Sequence, residues 1–200
     1  MTKKILITGA NGQLGHEMRN ALKGNNRFEC IFTDVAELDI CNAEAVKQTI
    51  ADNHIDYIVN CAAYTQVDKA EDNAELCKKI NTDAVENLAR AAATYGARMI
   101  HISTDYVFNG RGYRPYTEDV VPDPQSVYGS TKLEGEKILT DICPESIIIR
   151  TAWLYSPYGN NFVKTMLHLG EEREELSVVA DQIGTVSYTH LRAHETTLHL

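Results

Sequence analysis

Apolar and polar positions along the 200 residues fall into two alternating textures. Short apolar runs bounded by polar or turn residues recur at KKILIT (3–8), ECIFT (29–33), DYIVN (56–60), RMIHIS (98–103), SIIIR (146–150) and LSVVA (176–180). Runs this short, apolar on consecutive positions, fit strands buried on both faces of a parallel sheet. Between them the apolar positions take a helical spacing. Leu14, Met18, Ala21 and Leu22 form one stripe, and Val46 and Ile50 with nearby alanines form another. The segment AVENLARAAATY (84–95) is alanine-rich, with Gly96 placed to end a helix. Strand and helix in regular alternation predict right-handed βαβ units and an α/β fold with a doubly wound parallel sheet. One stretch departs from this. RGYRPYTEDVVPDPQ (111–125) holds three of the five prolines and predicts an irregular connection between a strand and the next helix.

Composition narrows the class without naming it. A chain that is 44% hydrophobic and 24% charged is long enough to bury a core as one globular domain. Its formal net charge of −9, with scattered lysines and arginines, argues against nucleic acid or an anionic membrane as partner. The apolar run after the N-terminal lysines stops at Thr8-Gly9, too short for a signal peptide, and no stretch approaches membrane-spanning length. Five cysteines without a C-x-x-C pair indicate neither a disulfide framework nor a zinc site, so a reducing cytoplasm is the simplest expectation.

The candidate chemistry begins at GANGQLG, where Gly9, Gly12 and Gly15 follow the first strand and open the first helix. Glycines there let a backbone approach a pyrophosphate held on the helix N-terminal amides. The spacing alone equally describes a tight turn with no ligand. Asp34 strengthens the ligand reading, because it follows the second strand where dinucleotide folds place a ribose-binding carboxylate. It would favour NADH over NADPH, with Arg19 and Arg27 near enough in sequence to counter that; the alternative to the ribose role is that Asp34 caps a turn.

A second constellation lies in SVYGSTKLEGEK (126–137), which otherwise reads as a solvated helix. Tyr128 and Lys132 stand one turn apart and project from the same face. A nearby ammonium and a bound cationic nicotinamide favour the phenolate, and such a tyrosine can exchange a proton with a substrate oxygen. HISTDYVF (101–108) supplies Ser103 and Thr104 at the carboxyl end of a strand, where parallel sheets bind ligands. His101 fits the buried strand pattern and reads as a core histidine. The run EEREE (171–175) reads as a solvated helix end.

Together GANGQLG, NCAAYTQVDKAE, STDYVF, VYGSTKLEGE, RTAWLYS, GNNFVKTM and DQIGT, in this order, resemble the extended short-chain dehydrogenase/reductases, and within them the dTDP-4-dehydrorhamnose reductase family. The resemblance spans about Lys3 to Thr185. It implies a Rossmann domain that uses NADPH or NADH to reduce the 4-keto group of dTDP-4-dehydro-L-rhamnose. Thr104 would bind the substrate oxygen, Tyr128 donate the proton, and Lys132 hold Tyr128 and the nicotinamide ribose. By the same match the cofactor would meet Gly9, Asn11, Gly12, Gln13, Leu14 and Gly15 in the first turn. Asp34, Asp39 and Ile40 would follow the second strand, Ala62, Ala63, Tyr64 and Thr65 the third, and Ile102 would lie on the fourth. Thr104, Asp105, Trp153 and Asn161 would face the sugar nucleotide, though Asn160-Asn161-Phe162 also suits a helix cap.

Related dehydratases carry Asp-Glu after the threonine; here Asp105 and Tyr106 follow Thr104, which disfavours elimination. Another nucleotide-sugar reductase or an epimerase stays open, as does a cofactor-binding regulatory subunit without reductase work. Some members hold magnesium at a dimer interface, one ligand falling at Glu17, but its partners would lie beyond the matching region, so no metal is expected. A homodimer of the full-length protein is compatible with the resemblance. Residues 1–185 are thus expected to form the cofactor-binding domain with the start of the substrate region, the small C-terminal substrate lobe being largely missing. The segment 186–200, VSYTHLRAHETTLHL, is expected to be foreign to it: the match stops there, no apolar stripe is sustained, and it looks like translated sequencing-adapter read-through.

Overall fold

A computed structural model describes residues 2–117, 119–179, 182, 184 and 187–188. Five of the six expected strands form: β1 (Lys3–Thr8), β2 (Phe28–Thr33), β3 (Tyr57–Asn60), β4 (Arg98–Thr104) and β5 (Ile147–Thr151). They pair in the order β2-β1-β3-β4-β5, every neighbour parallel. Parallel neighbours need crossovers. These are supplied by α1 (Gln13–Leu22), α2 (Ala43–Asn53), the pair α3 (Val67–Asp72) and α4 (Ala74–Lys78) running into α5 (Ala84–Tyr95), and α6 (Val127–Ile142). A π-helical turn, Lys79–Asp83, joins α4 to α5 without a break.

The strand alternation sorts the core onto two faces. Leu6, Ile58 and Met99 pack with Val46 and Ile50 of α2, Leu88 and Ala92 of α5 and Leu139 of α6. Ile5, Ile7 and Val59 face the other way, toward Met18 and Leu22 of α1. Ala21, expected in the same stripe, is exposed. Gly96 ends α5 in the left-handed conformation, as expected. The connection 111–125 carries neither helix nor strand among its described residues.

The sixth expected strand is a correction. Residues 176–179 of LSVVA form no strand, and Leu176, Val178 and Val179 are exposed. Strand preference is a preference for a pleated, half-buried surface, and these side chains have no sheet to lie on. Instead β6 (Leu154–Tyr155) pairs in parallel with β7 (Ser187–Tyr188), and α7 (Phe162–Glu172) lies between them in sequence. The rest of 186–200 lies outside the described residues. Among those described, no helix is long and apolar enough to cross a membrane.

Candidate active site

The strand order reverses between β1 and β3, and the carboxyl ends of β1, β3 and β4 open there into one cleft of about 1330 Å³. At the β1 end, Gly9 adopts φ +64°, and a Cβ there would sit 2.6 Å from the Ala62 backbone nitrogen. Only glycine fits that turn. A Cβ at Gly15 would fall 2.4 Å from the Gly9 carbonyl oxygen, so Gly15 serves the contact between α1 and the turn and does not line the cleft. Gly12 is the N-cap of α1 and offers no side-chain cap, and no acidic residue occupies the first turn. The free N–H groups there suit an anionic pyrophosphate.

Asp34 lines the same end, and its turn-capping alternative is realised. Its Oδ2 accepts from Asn11 N at 2.9 Å and its Oδ1 from Val35 N at 2.9 Å, which fixes the turn. A carboxylate offers about four acceptor positions, so two remain for ribose hydroxyls. Arg19 lies over the Phe32 ring at 4.3 Å and Arg27 over Phe28 at 5.6 Å; neither lines the cleft. Asp39 and Ile40 continue this wall.

At the other end α6 carries Tyr128 and Lys132, and contrary to its solvated appearance both are buried, 8% and 1% exposed. Ser126 caps the helix, its Oγ accepting from Gly129 N at 3.1 Å. Two glycines let α6 approach so closely. A Cβ at Gly129 would lie 2.2 Å from the Tyr106 carbonyl oxygen, and one at Gly135 2.3 Å from that of Asn81. Thr104, at the end of β4, donates from Oγ1 to Asp105 Oδ1 at 3.2 Å and accepts from Tyr106 N at 3.2 Å.

The surroundings of Tyr128 act on its ionisation. Burial pushes its phenol up to about 12, with the Thr104 hydrogen bond pulling the other way, so these surroundings favour the protonated form. Lys132 does not offset this, because its Nζ donates to the Ile102 carbonyl at 2.7 Å and lies 3.2 Å from His101 Nε2. Burial lowers Lys132 itself to about 8. A protonated phenol is the form a proton donor needs. Asp105 is raised by burial, and Tyr106 meets Tyr128 edge-on at 5.5 Å.

Trp153 closes the far wall in the left-handed region at φ 50°, a costly conformation for a large side chain. Its ring meets Phe162 edge-on at 5.6 Å. The fold and cleft are shared with known proteins. The model of the RmlD substrate binding domain matches residues 3–198. This chain belongs to that family. It is 45% identical over 186 residues to the dTDP-4-dehydrorhamnose reductase of Aggregatibacter actinomycetemcomitans, covering 93% of this chain and 63% of the relative. The crystal structure of a dTDP-4-dehydrorhamnose reductase from Clostridium acetobutylicum is 52% identical with a TM-score of 0.90, over 93% of this chain and 66% of the other. That of the Bacillus anthracis protein, in complex with NADP, is 44% identical with a TM-score of 0.91, over 95% and 67%. The chain thus spans a little under two thirds of the length of the curated relative.

For a member of the RmlD family, the sequence-expected residues converge well. Gly9, Asn11, Gly12, Gln13, Leu14, Ala62, Ala63, Thr65, Ile102, Thr104, Asp105, Tyr128, Lys132 and Trp153 all line the cleft. Tyr64 does not; its backbone is held by Asn81, which accepts from Tyr64 N at 2.9 Å and donates to Tyr64 O at 3.2 Å. Asn161 caps α7 through Lys164 N at 3.0 Å and donates to Gln13 Oε1 at 3.0 Å and Ser156 O at 2.9 Å. Its amide is therefore spent on joining the far wall to the glycine turn, with Asn160 the residue exposed to the cleft.

Sequence reading missed the polar layer behind Tyr128 and Lys132. Asn81, in the π-helical turn, reaches Thr131 Oγ1 at 3.4 Å, and Thr131 meets Cys77 Sγ at 3.2 Å. Thr8, Asn60 and His101 form a second buried set. The available signal was the glycine pair inside α6, since interior helical glycines cost about 1 kcal/mol and mark close packing. Among the described residues no group of three or more His, Cys, Asp or Glu side chains is placed to hold a metal ion, and Glu17 is buried within α1.

Proposed function

We propose that this chain carries the cofactor-binding and proton-donating parts of a reductase that converts the 4-keto group of dTDP-4-dehydro-L-rhamnose to an alcohol. The observation that carries the reading is the meeting of Thr104, protonated Tyr128 and Lys132 at one end of a cleft whose other end is the glycine turn and Asp34. NADPH or NADH, when bound, would supply the hydride. The first-turn N–H groups of α1 would take its pyrophosphate and Asp34 its adenosine ribose. Tyr128 then gives its phenolic proton to the substrate oxygen while Thr104 Oγ1 orients that oxygen. Lys132, one turn along α6, would help hold the nicotinamide ribose beside Tyr128. Trp153, on the far wall of the cleft, would offer an apolar face to the sugar nucleotide. The relatives' names support the substrate, and the Bacillus anthracis complex supports a nicotinamide dinucleotide.

The test supplies purified protein with dTDP-4-dehydro-L-rhamnose and NADPH or NADH and follows absorbance of the reduced nicotinamide. Consumption that requires both partners is the expected result. Consumption with other dTDP-ketosugars but not with this one would reject the assignment.

A further inference from the structure

Behind Lys132 a line of buried polar groups runs across three strands, and its donors and acceptors can be assigned in order. Thr8 on β1, Asn60 on β3 and His101 on β4 are 1%, 0% and 0% exposed. The backbone N–H of Ala62 donates to Asn60 Oδ1 at 3.1 Å, and the Thr8 hydroxyl donates to the same oxygen at 2.7 Å. A backbone N–H can only donate, so the amide oxygen of Asn60 must stay on that side and its nitrogen must face His101. Asn60 Nδ2 lies 3.1 Å from His101 Nδ1. With a donor there, Nδ1 is the accepting, unprotonated nitrogen. A neutral imidazole then carries its proton on Nε2, 3.2 Å from Lys132 Nζ. An Nε2–H can be received by an amine lone pair, which an ammonium lacks.

We propose that His101 is a positioning residue whose tautomer, fixed by Asn60, disfavours the ammonium form of Lys132 and so sets its ionisation. The proposal rests on the role given to Lys132 above. Protonating Lys132 costs one of two bonds: either the His101–Lys132 contact is lost, or the Asn60 amide turns over and faces the Ala62 N–H with a like donor. The other groups facing Lys132 are Glu136 on its own helix, Cys77 on α4 and Cys61 after β3, each favouring the charged form. Glu136 is already engaged by Arg150 through bonds of 3.0 and 2.6 Å. Burial and the neighbouring Lys132 hold His101 well below the ordinary imidazole range, so it does not become a second cation.

Asn60→Asp separates this from a merely structural role. It keeps the shape, replaces the donor facing His101 by an acceptor, and so moves the imidazole proton to Nδ1 and frees Nε2 to accept from an ammonium. Long-range ¹⁵N spectra of the histidines and ¹³Cε titration of the lysines, on the whole chain, read both ends. In wild type His101 should show an unprotonated Nδ1 and protonated Nε2, with Lys132 titrating near 8. In Asn60→Asp the tautomer should reverse and the Lys132 midpoint should rise by roughly half a unit or more. Asn60→Ala, which removes the donor facing Nδ1 without adding charge, should raise the midpoint likewise and serves if Asn60→Asp does not fold. A protonated Nδ1 in wild type, or an unmoved Lys132 midpoint in the folded variant, overturns the proposal. None of these signals needs turnover, so failure in the ketosugar assay would reject the reductase reading and leave the tautomer result standing.

Discussion

On the wall of the cleft built by β4 and α6, Thr104, Tyr128 and Lys132 are each less than one-tenth exposed and bonded to groups on neighbouring elements. On the wall that follows β5, Trp153 is 39% exposed, Phe162 48% and Leu167 66%, and α7 has no buried residue. The first wall is part of the core, whereas the second meets the glycine turn and α1 through partly exposed side chains. Among the described residues these contacts include Asn161 to Gln13, the Tyr158 ring stacked on His16 at 4.6 Å, and Asn20 donating to the Tyr158 hydroxyl at 2.9 Å. The first wall is thus fixed by burial and the second by contacts between side chains that stay partly exposed.

The sharpest probe of the first wall is Tyr128→Phe. Loss of the positioned acid should lower turnover by roughly 10²–10⁴-fold with cofactor affinity nearly unchanged, measured by steady-state kinetics and nucleotide titration. Retained turnover would move the proton donor elsewhere, and with it the reason for burying α6. Next in size, Gly135→Ala forces a methyl onto the Asn81 carbonyl and should cost about 1–3 kcal/mol in urea denaturation. Asn161→Ala removes the α7 cap and the tie to Gln13, and should cost about 0.5–2 kcal/mol. If it cost more than Gly135→Ala, the second wall would be the more deeply built of the two.

The buried ammonium gives a pH test of the same contrast. Lys132 falls from 10.5 to about 8 on folding, so between those values the unfolded chain binds more protons than the folded one, and stability rises with pH. Tyr128 and Cys61, both pushed up to about 12 by burial, act oppositely at higher pH. Comparing wild type with Lys132→Met removes those contributions: the stability difference should shift in favour of wild type as pH climbs through 8 toward 10.5. A flat difference would mean that Lys132 is not desolvated. The smallest effect belongs to Leu167→Gln on the exposed face of α7, expected within about 0.5 kcal/mol of wild type.

Much of the fold was legible because consecutive apolar runs leave few alternatives to buried strands, and β1 to β5 follow those runs to within a residue or so. LSVVA shows the limit. Its composition matches β5, and what separates them is a ladder partner, which no local pattern encodes. In the site, the glycine turn and the Tyr128–Lys132 pair were legible because each is set by spacing within one element. The Thr8–Asn60–His101 line and the Asn81–Thr131 contact join residues 41 to 52 positions apart, so only the packed sheet reveals them. Charged residues made α6 look solvated, and the two glycines that let it sink into the core had to be weighed as steric facts rather than as poor helix formers.

The π-helical turn at Lys79–Asp83 makes this helix sensitive to residue count rather than residue type. A wide turn accommodates one more residue than a regular one, and an α-helix advances about 100° per residue. Deleting a single residue from that turn would let it relax to ordinary geometry, swing Cys77 and α4 by about that angle relative to α5, and carry Asn81 away from Tyr64 and Thr131. Chain length is therefore a constraint here in its own right, while the irregular connection 111–125 has no helical phase to keep.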